Sequence, residues 1–220
     1  MTRVLAVSDE VVDALWHPSV QSIRPDLLVG AGDLPFDYLD YLQSTLNVPL
    51  VYVPGNHDAD LSGLRQGRNG MVLQAGMPTS RSAPGGDNAD GRLVESAGLR
   101  IAGLGGCVRY NDGPNQYSQR QYRWRARRLA WRARRTRVDI LLTHAPPARL
   151  GDRDDPPHRG IEALYGLAER LRPRLLIHGH IHPYGEKLAD RRLGETLICN
   201  VVGFRVLDLH APGQDGHDGP

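Results

Sequence analysis

Acidic, amide and imidazole side chains recur at one kind of position in this 220-residue chain. An apolar run at 4–7 is followed by Asp9. A run at 27–29 leads through Gly30 and Gly32 to Asp33. The run at 50–53 leads to Gly55-Asn56-His57-Asp58, the run at 140–142 to His144, and the run at 175–177 to His178-Gly179-His180-Ile181-His182. Each run is rich in Val, Leu and Ile and is of strand length. Parallel strands of an α/β sheet carry their carboxyl ends to one edge, and ligands bind there. One such Asp ordinarily caps a turn, and one such His is ordinarily just hydrogen-bonded. Five in succession point to a shared site. Carboxylate, amide oxygen and imidazole suit Mn²⁺, Fe or Zn²⁺. His180 and His182 lie two apart, so in extended chain they face the same side. Gly30, Gly32, Gly55 and Gly179 permit tight turns and close approach of backbone to ions.

The elements that must position these groups follow from the same pattern. Further strand-like runs occur at 101–104, 197–202 and 204–207, and helices are predicted over 36–45, 119–135 and 160–171. Strand and helix alternate early in the chain, which argues for βαβ units and a parallel sheet. The C-terminal strands lie close together and are expected to form hairpins, one over 185–196 with its turn near 190–194. The segment 58–90, bearing glycines and prolines, reads as a long loop that could act as a lid. The tail 210–220, with His210 and His217, reads as disordered, leaving a single domain over 1–209.

Composition sets the outer limits. Hydrophobic residues make up 40% and charged residues 24%, which is globular, and the 25 glycines and 16 prolines imply many connections. No apolar run approaches the roughly 18 residues of a membrane span. Asp9 and Glu10 interrupt the first apolar run too early for a signal peptide. Cys107 and Cys199 cannot form a disulfide framework or a cysteine zinc site. A cytoplasmic protein is expected. The net charge of +2 requires no polyanionic partner. One segment, 118–137, holds nine arginines and no acid. As a helix it places Tyr122, Ala126, Leu129, Ala130 and Ala133 on one face and Trp124 and Trp131 on the other. Arg–Trp stacking suits single-stranded nucleic acid. A solvated helix with its tryptophans covered by arginine stems is the preferred reading, so nucleic acid is not an expected partner.

The motifs resemble those of the calcineurin-like metallophosphoesterases, whose pattern is D-x-H, G-D, G-N-H-[DE], H and G-H-x-H. The matching residues are Asp9-Glu10-Val11, Gly32-Asp33, Gly55-Asn56-His57-Asp58, His144 and Gly179-His180-Ile181-His182. The resemblance implies an α/β fold, a four-layer α/β/β/α sandwich of two mixed sheets flanked by helices. It implies two divalent ions (Mn, Fe or Zn, with Mn favoured). Asp33 would bridge them, Asp9 and His182 would hold the first, and Asn56, His144 and His180 the second. A bridging hydroxide would attack a phosphodiester or phosphomonoester of a small molecule. Two divalent ions, two carboxylates and a hydroxide leave a residual positive charge to attract a phosphoryl oxygen. His57 would contact the phosphoryl group or protonate the leaving oxygen, with Asp58 orienting its imidazole.

The first motif departs from the pattern, because its histidine is Val11. Purple acid phosphatases also lack that histidine and use a tyrosine three residues after the bridging Asp, but here that position is Phe36. Glu10, His17, Tyr38 and His178 are candidate replacements, and water is the simplest one. The first ion is expected to bind more weakly, by about 10–100-fold. Arg109, His158 and Arg159 are candidates to read the substrate. Three functions compete: a metal-dependent phosphoester hydrolase, a non-catalytic scaffold of the same fold, which Val11 favours, and a single-strand nuclease using Trp124 and Trp131.

Overall fold

The computed structural model describes residues 1–61, 63–66, 72–74, 77–78, 83–185 and 189–209, so the expectation for the tail lies outside the described residues. The strands are β1 (Thr2–Ser8), β2 (Leu27–Gly30), β3 (Leu50–Tyr52), β4 (Leu64–Gln66), β5 (Val72–Gln74), β6 (Met77–Pro78), β7 (Asp87–Asn88), β8 (Leu93–Ser96), β9 (Leu99–Leu104), β10 (Cys107–Val108), β11 (Gln116–Tyr117), β12 (Ile140–Thr143), β13 (Leu175–His178), β14 (Arg191–Leu193), β15 (Thr196–Asn200) and β16 (Gly203–Leu209). The helices are α1 (Phe36–Leu46), α2 (Gln119–Arg132) and α3 (Ala163–Leu171). Two larger sheets have the orders β16-β1-β2-β3-β7 and β14-β15-β13-β12-β9-β8.

Strand alternation divides the apolar residues among three interlayers. Val4, Ala6, Leu27, Val29 and Val51 point from the first sheet toward Ile101, Ile140, Leu142 and Ile177 of the second. The intervening residues of the first sheet, Leu5, Val7, Leu28 and Leu50, pack on Tyr38, Leu39 and Leu42 of α1. Those of the second, Ala102, Leu141, Leu176 and Ile198, pack on Tyr122 and Leu129 of α2 and Leu164 and Leu167 of α3. A strand buried on both faces must be apolar throughout, and these runs are. The result is the four-layer sandwich of helix, sheet, sheet and helices.

The helix boundaries have local causes. Asn47, at φ 55°, caps α1 in the left-handed region and returns its N–H to the Gln43 carbonyl. Ser118 and Gln121 form a reciprocal capping box at the start of α2. α2 buries Tyr122, Ala126, Leu129 and Ala130, as the spacing predicts, and leaves Trp124 and Trp131 61% and 62% exposed. Arg128 and Arg134 lie over these two rings. α3 begins at Ala163 rather than at 160, because Ile161 is drawn into a bridge with Pro147 and donates its N–H to the Pro146 carbonyl (2.8 Å).

Two expectations need correction. β15 and β16 do not form a hairpin. β15 runs parallel to β13 in the second sheet, while β16 lies antiparallel to β1 in the first. The hairpin near 185–196 is instead the short pair β14–β15, turning at 194–195. The segment 58–90 is not one loop: its described residues contain the antiparallel sheet β4-β5-β6 and the short strand β7. Among the described residues no helix is long and apolar enough to cross a membrane.

Candidate metal centre

The five motif-bearing turns come from two sheets. β1, β2 and β3 run parallel in one, β12 and β13 in the other, and the sheets meet at the bridge between Ser8 and Val202. Backbone bonds bring the ends together. Asp9 donates its N–H to Gly32 O (3.1 Å), and Gly179 donates to His144 O (2.9 Å). Asp9, Asp33 and His180 all sit at positive φ (62°, 56° and 68°), uncommon for residues with a Cβ and characteristic of constrained sites. A Cβ at Gly55 would collide with the Asp33 carboxylate, and one at Gly179 with Ser8 and Asp9, so these turns require glycine.

Asp33, His144 and His180 each offer a ligand atom, and these atoms lie within 4.8 Å of one another. His144 is fully buried. Its Nδ1–H donates to Ala31 O (2.8 Å), so Nε2 is the inward nitrogen, 3.0 Å from Asn56 Oδ1 and 3.2 Å from Asp33 Oδ2. His180 donates Nε2–H to Pro157 O (2.8 Å), which leaves Nδ1 as the lone-pair nitrogen. A carbonyl only accepts, so each outer bond fixes a tautomer and an aim. An inward imidazole nitrogen facing an amide oxygen and a carboxylate oxygen calls for a cation between them, either a proton or a metal ion. The donor set fits a divalent metal of the Mn, Fe or Zn kind.

The other half of the site is looser. His182 donates Nδ1–H to Glu10 Oε1 (3.0 Å), while its Nε2 stands 3.9 Å from Asp9 Oδ1. Asp9 is fixed by Ser8 Oγ and by the His180 N–H (2.9 Å), both on Oδ2. Val11 is 46% exposed. Of the candidate replacements for its missing imidazole, Glu10 is engaged by His182, and the Tyr38 hydroxyl accepts from Val12 N (3.4 Å). His17 caps a 3-10 turn, and buried His178 donates Nδ1–H to Gly179 O.

The electrostatics follow burial and charge. Burial pulls the His144 imidazolium down, but Asp33 and Asp9 outweigh it and push the group up to about 9. Burial and the neighbouring His144 charge push His180 down to about 3, and burial takes His178 down to about 4. Burial raises Asp9 above the ordinary carboxylate range. Burial opposes the ionised Asp33 too, but the His144 charge, its hydrogen bond and the His57 N–H hold that carboxyl low.

Asp58 departs from its expected task. Its Oδ2 accepts the N–H groups of Gly55 (2.7 Å) and Asp33 (3.0 Å), and no hydrogen bond joins it to the His57 ring. Asp58 therefore fixes the backbone at Gly55 and Asp33. His57 is exposed at the rim and donates its N–H to Asp33 Oδ1 (2.7 Å). Arg109 donates to Gln116 O (3.3 Å), and Arg159 is exposed. The His158 ring, joined to Asp155 (2.6 Å), lies 5.5 Å from the His180 ring.

Several contributors were not assigned from the sequence. Tyr110 accepts from the Asn56 amide (3.3 Å), Asn115 ties the Gly55 and Asp58 carbonyls together (2.9 and 3.1 Å), and Pro157 supplies the carbonyl for His180. Tyr110 sits in the segment that follows β9, which was a legible clue. Asn115 and Pro157 carry no motif.

Fold and site together define an α/β/β/α sandwich with a histidine–carboxylate cluster at the carboxyl ends of its central strands. The chain belongs to the calcineurin-like phosphoesterase family, whose model matches residues 8–184. An uncharacterized protein of Haemophilus influenzae is 25% identical over 217 residues, covering 87% of this chain and 86% of its own. The structure of TT1561 from Thermus thermophilus is similar with a TM-score of 0.60 at 17% identity, over 92% of this chain and 89% of its own. A further crystal structure reaches 0.63 at 17% identity, over 94% and 95%. These structures share the fold.

Proposed function

We propose that this chain is a metal-dependent hydrolase of small phosphoesters. The observation that carries the reading is the convergence of Asp33, His144 and His180, with both imidazoles aimed inward by backbone carbonyls. Asp9 and His182 would hold the first, weaker ion, Asn56, His144 and His180 would hold the second, and Asp33 would be shared. Mn²⁺ is the favoured metal. Ions held there would supply Lewis-acid stabilisation of a phosphoryl group and a water of lowered pKa. The chain's own residues supply the rest. His57, exposed beside Asp33, is placed to contact the phosphoryl group or to give a proton to the leaving oxygen. Asp58 holds the amides of Gly55 and Asp33, and so the turns that carry His57 and Asp33. Single-domain organisation over 1–209 and a cytoplasmic setting accompany this proposal.

The test is to strip the protein of metal, restore Mn²⁺, and follow nitrophenol release from bis(p-nitrophenyl) phosphate and from p-nitrophenyl phosphate. Mn²⁺-dependent turnover that is lost in Asn56→Ala is expected. The exposed Val11 leaves the Asp9–His182 half short of a ligand, which favours a scaffold as the second reading. Bound Mn²⁺ with no turnover of either ester would support it, and absence of bound Mn²⁺ would sink the hydrolase outright.

A further inference from the structure

The surroundings of the centre are unlike on its two sides. Toward β13 they are polar: Arg153 donates to the His182 carbonyl (2.7 Å), and His158, bonded to Asp155, lies beside His180. Toward α1 they are apolar. A cleft of about 390 Å³ opens between Asp33 and His57, walled by Leu34, Pro35, Phe36 and Ala59. Phe36 is half-buried against Tyr52, while Pro35 and Ala59 are exposed. α1 also carries aromatic contacts. Trp16, 43% exposed, stacks on Tyr38 and Tyr41 at 5.0 and 4.7 Å. Val12 donates its N–H to the Tyr38 hydroxyl and packs with the same helix.

The polar groups of its described lining are Asp33, His57 and Asp58, all at one end, and no lysine or arginine lines it. A second phosphate or carboxylate lying along its apolar walls would find no guanidinium or ammonium group to pair with. A cavity of roughly 150 Å³ suffices for a benzene ring, so the cleft has room for one. It also adjoins Asp33 and His57, the two groups that the proposed reaction places at the phosphoryl centre.

We infer that the cleft is the subsite for an uncharged apolar arm of the substrate, and that the substrates are phosphoesters of an aryl or comparably apolar alcohol. Phe36 is the specificity-determining side chain. The inference rests on the hydrolase reading and names its substrate class.

Calorimetric binding to the Mn²⁺-loaded protein tests it without turnover, using inorganic phosphate, methylphosphonate and phenylphosphonate. All three should bind. A phenyl ring half-covered in an open cleft should tighten binding about tenfold over methyl, about 1.4 kcal/mol. Phe36→Ala should collapse that ratio. Ala59→Arg, an exposed substitution that fills the cleft without disturbing the core, should do the same if Phe36→Ala fails to fold. Phosphate binding with no preference for phenyl over methyl overturns the subsite and leaves the phosphoryl site standing. A preference unchanged in both variants places the arm elsewhere and also overturns it. If neither phosphate nor either phosphonate binds, the hydrolase reading fails and takes the subsite with it.

Discussion

His144 and His180 do the same thing from opposite ends of the imidazole. One donates Nδ1–H to Ala31 and aims Nε2, and the other donates Nε2–H to Pro157 and aims Nδ1. Neither partner carbonyl belongs to a motif, so residue types alone could name the ligands but not the nitrogen each presents. His182 follows the same logic with a carboxylate, because Glu10 accepts its Nδ1–H and leaves Nε2 toward Asp9. A ligand held by such an outer partner typically loses 10–100-fold in metal affinity when that partner is removed. Glu10→Ala should therefore weaken the first, looser ion of the proposed centre by about 10–100-fold in a competition titration with a Mn²⁺ chelator. Glu10→Gln, whose amide oxygen still accepts from Nδ1–H, should lose less. Equal, wild-type affinity in both variants would show that Glu10 does not orient His182. Asp58 is the residue whose role its neighbours misrepresented. Its position next to His57 suggested a partner for that ring, yet its oxygen serves two amides instead, since a tight turn leaves N–H groups that something buried must satisfy.

At the scale of elements, the motifs stand where strands stop and backbone turns sharply. Most strand runs were legible because they are apolar on both faces, and the helices because a core stripe recurs every three to four residues. α2 shows the pattern plainly: its stripe is buried, and its tryptophans and most of its arginines face out, while Arg125 turns inward to Asp90 and the Gly105 carbonyl. The capping box at Ser118 should contribute to its stability independently of the metal centre. Ser118→Ala is expected to cost about 1 kcal/mol, read as a lower urea midpoint with unchanged slope, and to leave Mn²⁺ affinity as it was. A loss of metal affinity would mean that α2 is coupled to the centre. Less legible was where each strand would pair. β15 and β16 are separated by two residues, which locally suggests a hairpin, yet Val201 donates to His178 O while β16 crosses to β1. Short range favours the hairpin. Burial of Cys199 in the inter-sheet core and closure of the first sheet by a seven-residue antiparallel strand outweigh it.

The whole molecule is three cores between four layers, and the centre sits where two sheets meet. This arrangement buries both cysteines completely. Burial pushes the Cys107 thiol up to about 12 and Cys199 up to about 11. Thiolate is the reactive form, so neither should react at neutral pH. Iodoacetamide should modify no cysteine of the native protein over hours and both in urea, as read by mass spectrometry. Native labelling at Cys107 would mean that the layer beneath α2 opens readily.

The sequence by itself determined the strand runs, the ligand types at their ends and the family pattern, because periodicity and residue chemistry are local properties. It also determined the departure at Val11. Only the tertiary structure decided that the five ends come from two sheets, that carbonyls at Ala31 and Pro157 aim the imidazoles, and that Asp58 serves backbone. Those outcomes depend on contacts between residues 23 to 113 positions apart, and such contacts are chosen by the joint packing of layers rather than by any one segment.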